Sequence, residues 1–308
     1  MKKLVSVISL VICLVCLYMY VRMGVDYPNQ HVKKQDIALD NLKEIKLSND
    51  QVINTETEEV IFEKAITQSD IIMLSGVNNI KRLDIIISGE DIDLSPLVSL
   101  SQLQELAITF STGDKVDLDF IKELKCLTSV SIDRCCELED LSVFEDMPYL
   151  QKLFVEYVED VDLNYLARDP NLRDIHIVGG HIRNAEGISG FPFLKDVYLF
   201  DNHRYQQSEE QIFLDMDSFS DMLELEWMLL AHINIKDIEP LIGAPNLREL
   251  ILIKTGVDDI EPLSNLPNLS CLSIYGNESE RVTEQAGIYF DNTQTVIVTE
   301  DIPNPFYL

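Results

Sequence analysis

The run Ile238-Glu239-Pro240-Leu241-Ile242-Gly243-Ala244-Pro245-Asn246-Leu247-Arg248-Glu249-Leu250-Ile251-Leu252 returns 22 residues later as Ile260-Glu261-Pro262-Leu263-Ser264-Asn265-Leu266-Pro267-Asn268-Leu269-Ser270-Cys271-Leu272-Ser273-Ile274. The apolar positions of the two copies stand in register. A unit this short has no interior of its own, so copies must stack into a solenoid that shares one continuous core. In such a molecule function is sought on a surface.

Working outward from that pair, an L-x-x-L-x-L core recurs along most of the chain. Its anchors are Ile80/Leu83/Ile85, Leu103/Leu106/Ile108, Leu127/Val130/Ile132, Leu150/Leu153/Val155, Leu172/Ile175/Ile177, Leu194/Val197/Leu199, Leu225/Met228/Leu230, Leu247/Leu250/Leu252 and Leu269/Leu272/Ile274. Successive first anchors lie 23, 24, 23, 22, 22, 31, 22 and 22 residues apart. From Ile71 to Tyr275 the chain resembles the leucine-rich repeat family, in its short internalin-like form. The resemblance implies an α/β repeat solenoid: a horseshoe or arc with a parallel β-sheet on its concave side and short helical or irregular segments on its convex side. One family feature is incomplete. Three residues past each core the family usually carries Asn, whereas here the row reads Ser88, Ser111, Cys135, Val158, Gly180, Asn202, Ile233, Thr255 and Asn277. Buried backbone groups there need other partners.

The segments flanking the repeats differ from them. Residues 1–24 carry Lys2 and Lys3, then an uncharged apolar stretch from Leu4 to Val21 ended by Arg22. Eighteen helical residues span about 27 Å, close to the ~30 Å hydrocarbon core of a bilayer. Tyr18 to Arg22 offer no small-x-small cleavage site, and Ile12 and Val15 precede Cys13 and Cys16 where a lipoprotein signal needs a small residue. The stretch 4–21 therefore reads as an uncleaved membrane anchor with the C-terminal domain outside the cytoplasm, a cleaved and secreted form being the alternative. Residues 25–70 read as linker and N-terminal cap, with Leu39/Leu42/Ile45/Leu47 as a degenerate strand and Thr57–Ile66 as a short amphipathic helix. Repeats occupy 71–290, and 291–308 form a C-terminal cap strand, Thr295–Thr299, and a tail.

The net charge of −29 excludes some partners. Without Lys2, Lys3 and Arg22 the remaining chain keeps 21 basic against 53 acidic residues. Such a surface repels phosphate backbones, so nucleic acid is disfavoured. The six cysteines form no disulfide framework: Cys13 and Cys16 fall in the apolar stretch, and Cys126, Cys135, Cys136 and Cys271 in repeats far apart or on adjacent residues. They read as structural or idle.

On a strand alternate residues face opposite sides, so the residues between anchors point out of the concave sheet. One column runs Asp84, Ala107, Ser131, Phe154, His176, Tyr198, Leu229, Ile251, Ser273, and the next Ile86, Thr109, Asp133, Glu156, Val178, Phe200, Ala231, Ile253, Tyr275. Trp227, the single tryptophan, falls in the column before them. Phe154, His176, Val178, Tyr198, Phe200, Trp227, Leu229, Ile251 and Ile253 thus form one apolar patch, rimmed by Lys152, Glu156, Asp174, Asp196 and Glu249. An aromatic centre with a charged rim is the composition of a protein-binding surface. A second candidate is the nine-residue excess after Leu199, around His203, Arg204 and Tyr205, since insertions in repeat proteins map to loops and often bind.

Catalytic patterns are missing: there is no G-x-S-x-G, H-E-x-x-H, P-loop or dinucleotide fingerprint. His176 and His181 are spaced for no shared metal. Asp91/Asp93, Asp117/Asp119 and Asp215/Asp217 lack the glycine and terminal glutamate of a calcium loop and read as solvated turn acids. The expectation is a non-enzymatic, membrane-tethered scaffold that binds a protein through its concave face and uses no metal or cofactor. A self-associating envelope protein, hence a homo-oligomer, is the alternative; a hydrolase using acids near His203 is a further one.

Overall fold

The computed structural model describes residues 44–299, apart from 90–91, 112–116, 134–137, 167–169, 180, 202–212, 277–278 and 291–294. In chain order its elements are β1 (Ile45–Lys46), β2 (Val52–Ile53), β3 (Glu59–Ala65), α1 (Gln68–Leu74), β4 (Arg82–Ile87), β5 (Glu105–Phe110), β6 (Ser129–Asp133), β7 (Lys152–Glu156), β8 (Asp160–Asp162), β9 (Asp174–Val178), β10 (His181–Asn184), β11 (Asp196–Phe200), β12 (Phe213–Leu214), β13 (Trp227–Ala231), β14 (Asn234–Ile235), β15 (Glu249–Ile253), β16 (Cys271–Tyr275), α2 (Glu280–Tyr289) and β17 (Thr295–Thr299). Eleven strands, β3 to β7, β9, β11, β13 and β15 to β17, form a single parallel sheet in sequence order. The anchors fill one face of it: Leu83, Val155, Ile177, Leu199, Leu230 and Leu252 are fully buried. This is the arrangement that the period and the alternation call for.

Between strands the chain returns through 3-10 turns such as Asp119–Glu123, Glu239–Gly243 and Glu261–Asn265. All but the turn Glu186–Gly190 are started by an aspartate. Asp93, Asp117, Asp140, Asp162, Asp215, Asp237 and Asp259 each accept a hydrogen bond at 2.8–3.1 Å from the backbone N–H two residues on. This Asx geometry bends the backbone into the turn. Three of these acids, Asp93, Asp117 and Asp215, are the exposed turn acids expected, and they also shape the convex side. Where successive turns meet there is no room for side chains: a Cβ on Gly243 would stand 1.4 Å from the Ser220 carbonyl oxygen.

The incomplete asparagine row is compensated in two ways. Short parallel ladders, β8 with β10 and β12 with β14, pair the backbone on the descending side of those repeats. Asparagines one residue ahead of the first anchor add a different ladder: Asn171, Asn246 and Asn268 donate to the carbonyls of Pro148, Leu223 and Pro245 in the preceding repeat, at 2.6, 2.8 and 2.9 Å. The repeated Asn-Leu pair was the signal for it. Cys135, Gly180, Asn202 and Asn277 lie outside the described residues.

At the N-terminal end two expectations need correcting. Residues 59–65, read as part of a helix, are strand β3, which pairs in parallel with β4. Val60 and Phe62 alternate into the core while Glu59, Ile61 and Glu63 face out, a period of two that the Thr-Glu-Glu start obscured. The helix lies further on, as α1, with Thr67 as its N-cap. The degenerate strand is also different in kind: Ile45–Lys46 forms an antiparallel hairpin with Val52–Ile53 and takes no place in the large sheet. Asp70 ties these pieces together. Its carboxylate accepts from Ser48 N–H (2.8 Å) and Oγ (2.5 Å) and from Thr67 N–H (3.0 Å) and Oγ1 (2.6 Å), while Thr67 Oγ1 accepts from Asp70 N–H.

At the C-terminal end β17 adds to β16 as expected. Helix α2, started by a Ser279 cap, packs on the last convex turn. Its Gln285 accepts from Ile260 N–H at 2.9 Å and donates to Asp259 at 2.7 Å, and Arg281 pairs with the same Asp259. Residues 1–43, with the apolar stretch 4–21, and residues 300–308 lie outside the described set. Among the described residues no helix is long and apolar enough to cross a membrane.

Candidate functional site

Strand register places the outward columns as the alternation requires. Phe154, His176, Tyr198, Leu229, Ile251 and Ser273 are successive cross-strand partners, as are Glu156, Val178, Phe200, Ala231, Ile253 and Tyr275. Trp227 stands in the flanking row between Asp196 and Glu249. The face turned away from the leucine core is therefore one sheet of contiguous apolar side chains from β7 to β16.

Rings carry its centre. Phe154 meets His176 with centroids 6.2 Å apart, His176 meets Tyr198 at 5.8 Å and Trp227 at 6.4 Å, and Phe200 meets His232 at 5.2 Å. Val178, Tyr198, Phe200, Trp227, Leu229, Ile251 and Ile253 join Ala231 and Tyr275 in a second hydrophobic cluster, separate from the leucine core. Phe154 touches this cluster through His176. Tyr275 and Ala231 were in the columns read from sequence but not among the expected patch residues; their register with Ile253 puts them there.

In one respect the face departs from the surface patch that the sequence suggests. Its nine expected residues are only 0–8% exposed. The same columns on β4, β5 and β6, with Asp84, Ala107 and Ser131, are half-buried. From β7 onward the two central outward columns are closed to solvent, and the cluster packs like a core. His176 responds to this: burial, with a smaller contribution from the charge of Lys152, pushes its imidazole down to about 4. Four of the five expected rim residues, Lys152, Asp174, Asp196 and Glu249, are half-buried, whereas Glu156 is buried in the face at 1% exposure. Lys152 pairs with Asp174 at 3.2 Å.

The other candidate, His203, Arg204 and Tyr205, lies outside the described residues, as do Cys135 and Cys136. Cys126 and Cys271 are free thiols. Among the described residues no group of three His, Cys, Asp or Glu side chains could hold a metal ion.

Stacked parallel strands with a leucine core on one side and 3-10 turns on the other define a leucine-rich repeat solenoid. Among solved structures the chain is similar to the functional domain of InlJ from Listeria monocytogenes, at 15% identity over 82% of this chain and 52% of that one, with a TM-score of 0.53. It is also similar to the plant peptide hormone receptor RGFR1 in complex with RGF2, at 12% identity over 73% of this chain and 36% of that one, with a TM-score of 0.54. The internalin InlF of L. monocytogenes shares 15% identity over 84% of this chain and 87% of its own, with a TM-score of 0.49. At these identities the likeness is one of fold. No family model matches the chain, and no curated protein does.

Proposed function

We propose that this chain is a protein-binding scaffold, held at a membrane by residues 4–21 with its repeats outside the cytoplasm, that engages a protein ligand through the concave face of β7 to β16. One observation carries the reading: consecutive strands place Phe154, His176, Tyr198, Phe200, Trp227, Leu229, Ile251 and Ile253 side by side on the face opposite the leucine core. The leucine core does not require them there, because the outward columns of β4 to β6 hold Asp84, Ala107 and Ser131 instead. Aromatic centres inside a polar rim are where binding energy concentrates in protein interfaces. A repeat receptor of similar fold, RGFR1, is a peptide hormone receptor and was solved with RGF2 bound, which supports a ligand of peptide chemistry. The role is binding, with no catalytic residue assigned.

The test is crosslinking capture by the full chain reconstituted in membrane vesicles, beside two variants. Phe154→Ser with Tyr198→Ser and Trp227→Ser removes the aromatic centre. Asp196→Lys with Glu249→Lys reverses the rim while leaving the packed rings in place. Capture by the parent and by neither folded variant supports the concave face as the site. Equal capture by all three removes the face from consideration, and crosslinking of the chain only to itself favours self-assembly.

A further inference from the structure

Charge along the row of strand starts is compensated at one end of the sheet and unbalanced at the other. At the N-terminal end Arg82 sits between its cross-strand partners Glu59 and Glu105, at 3.2 and 3.7 Å, and pairs with Asp84 at 2.9 Å as well. From β7 to β15 the same row runs Lys152, Asp174, Asp196, Trp227 and Glu249. Its one lysine pairs with Asp174 at 3.2 Å. Asp174 and Asp196 are direct cross-strand partners, and like charges so placed oppose the sheet. Glu249 forms no ion pair among the described residues. The cations one residue outside the row do not restore the balance: Lys195 and Arg248 flank Glu226 at 3.1 and 3.9 Å, and the exposed Arg173 pairs with no acid among the described residues.

The carboxylate excess coincides with the rings and stays on one edge of the face. Along the opposite edge Tyr157, Gly179, Asp201, His232 and Lys254 follow strands β7, β9, β11, β13 and β15, and one acid there stands against one lysine. Trp227 lies between Asp196 and Glu249, which are two strand spacings or about 10 Å apart. Tyr198 stacks on the indole from the β11 side.

We propose that the ligand of this face is a basic peptide segment, whose Arg or Lys side chains pair with Asp196 and Glu249 on either side of Trp227. The inference rests on the concave face being the binding site, and it names the chemistry of what is bound. Both carboxylates are half-buried, so a ligand reaches them from solvent. Trp227 keeps 8% of its surface exposed between them, and the methylene stem of a long basic side chain covers such an apolar tip while its charged head meets the acids. Indole is also the ring that attracts a cation most strongly. The alternatives fit less well. An acidic peptide is repelled by this row and by the net charge of −29. An uncharged apolar peptide would take water from Glu249 and offer no partner in return.

The test selects a random dodecapeptide display library on the full chain in phosphatidylcholine vesicles. Selected peptides are synthesised without tryptophan, so that the emission of Trp227, the single tryptophan of the chain, reports binding at the face. Each is titrated against the parent, against Asp196→Asn with Glu249→Gln, and against Glu224→Gln with Glu284→Gln. The second pair removes the same charge at two exposed positions outside the row. Peptides that move Trp227 are expected to carry Arg or Lys, to bind the Asp196/Glu249 variant about tenfold more weakly, and to bind the control variant like the parent. Peptides that move Trp227 but lack basic residues, or that lose equally with both variants, overturn the basic ligand and leave the concave site standing. A selection in which no peptide moves Trp227 counts against the concave site itself, and against this inference with it. Both variants replace a carboxylate by an amide of the same shape, and circular dichroism confirms that they fold.

Discussion

Tyr198 and Trp227 lie stacked on neighbouring strands β11 and β13, their ring planes 4° apart and their centroids 6.3 Å apart. They are not cross-strand partners, since Tyr198 is opposite Leu229 and Trp227 is opposite Asp196. The rings meet on the diagonal, within the reach that aromatic side chains have on a sheet. His176 leans on both, so three strands are joined by one group of rings on the face opposite the leucines.

A cluster this closely packed contributes to stability as well as to recognition. Trp227→Ala is expected to cost about 3 kcal/mol in chemical denaturation, through lost burial and a residual cavity. Trp227→Phe keeps most of the packing and is expected to cost about 1 kcal/mol. Far-UV circular dichroism follows both, because neither variant retains a tryptophan.

Acid should weaken this face. His176 sits at about 4 in the folded chain, held down by burial and then by Lys152, whereas an unfolded histidine titrates near ~6.5. Between those values the unfolded chain binds the extra proton, so this contribution is complete above pH ~6.5 and is lost as pH falls through about 4. The full loss is on the order of 3 kcal/mol. Denaturation midpoints at pH 7.5, 6 and 5 should fall in the parent and flatten in His176→Phe, which isolates this group from Glu156, Asp174 and Asp196 on the same face. An equal acid slope in both proteins would assign the effect to those carboxylates.

The N-terminal cap depends on Asp70. Burial alone would raise its carboxyl, but hydrogen bonds from Ser48 and Thr67 outweigh that and hold it below the usual carboxylate range. Its contribution is therefore present at neutral pH and is lost only as pH falls through that lowered value. Asp70→Ala should cost about 2 kcal/mol by removing the buried carboxylate to which Ser48 and Thr67 donate. Hydrogen exchange is expected to rise first in β1 to β3 and α1, with β11 to β16 retaining protection.

Gly243 tests how closely the convex turns approach. A methyl group there meets the Ser220 carbonyl oxygen at 1.4 Å, so Gly243→Ala must push two turns apart. The expected loss is about 3 kcal/mol, the upper end for overpacking. A melting temperature unchanged from the parent would show that the turns can separate without loss.

The leucine-rich repeat arc could be read from the chain because the anchors recur every 22 to 24 residues, with one step of 31, and alternate on each strand, and stacked parallel strands bring equal positions together. That is why the columns Phe154–Ser273 and Glu156–Tyr275 were correct to the residue. The cap at residues 59–74 was misread because it occurs once. Without a repeat to average over, Thr57-Glu58-Glu59 looks like a helix start, and only the neighbouring strand β4 makes 59–65 a strand. The turn aspartates were visible in most repeats, with Asn184 in place of one, but their role depends on a backbone bend that a list of residues does not display.

Period and alternation are local properties of the chain, so they specify which side chains enter the leucine core and which form the opposite columns. Whether those columns meet water is not local. The shielding of Trp227 and Tyr198 depends on atoms far away in the sequence, and so does the Asp70 junction, whose donors Ser48 and Thr67 are separated by 19 residues of chain. Burial is a property of the packed molecule, and three-dimensional packing made the concave face of this protein a second core.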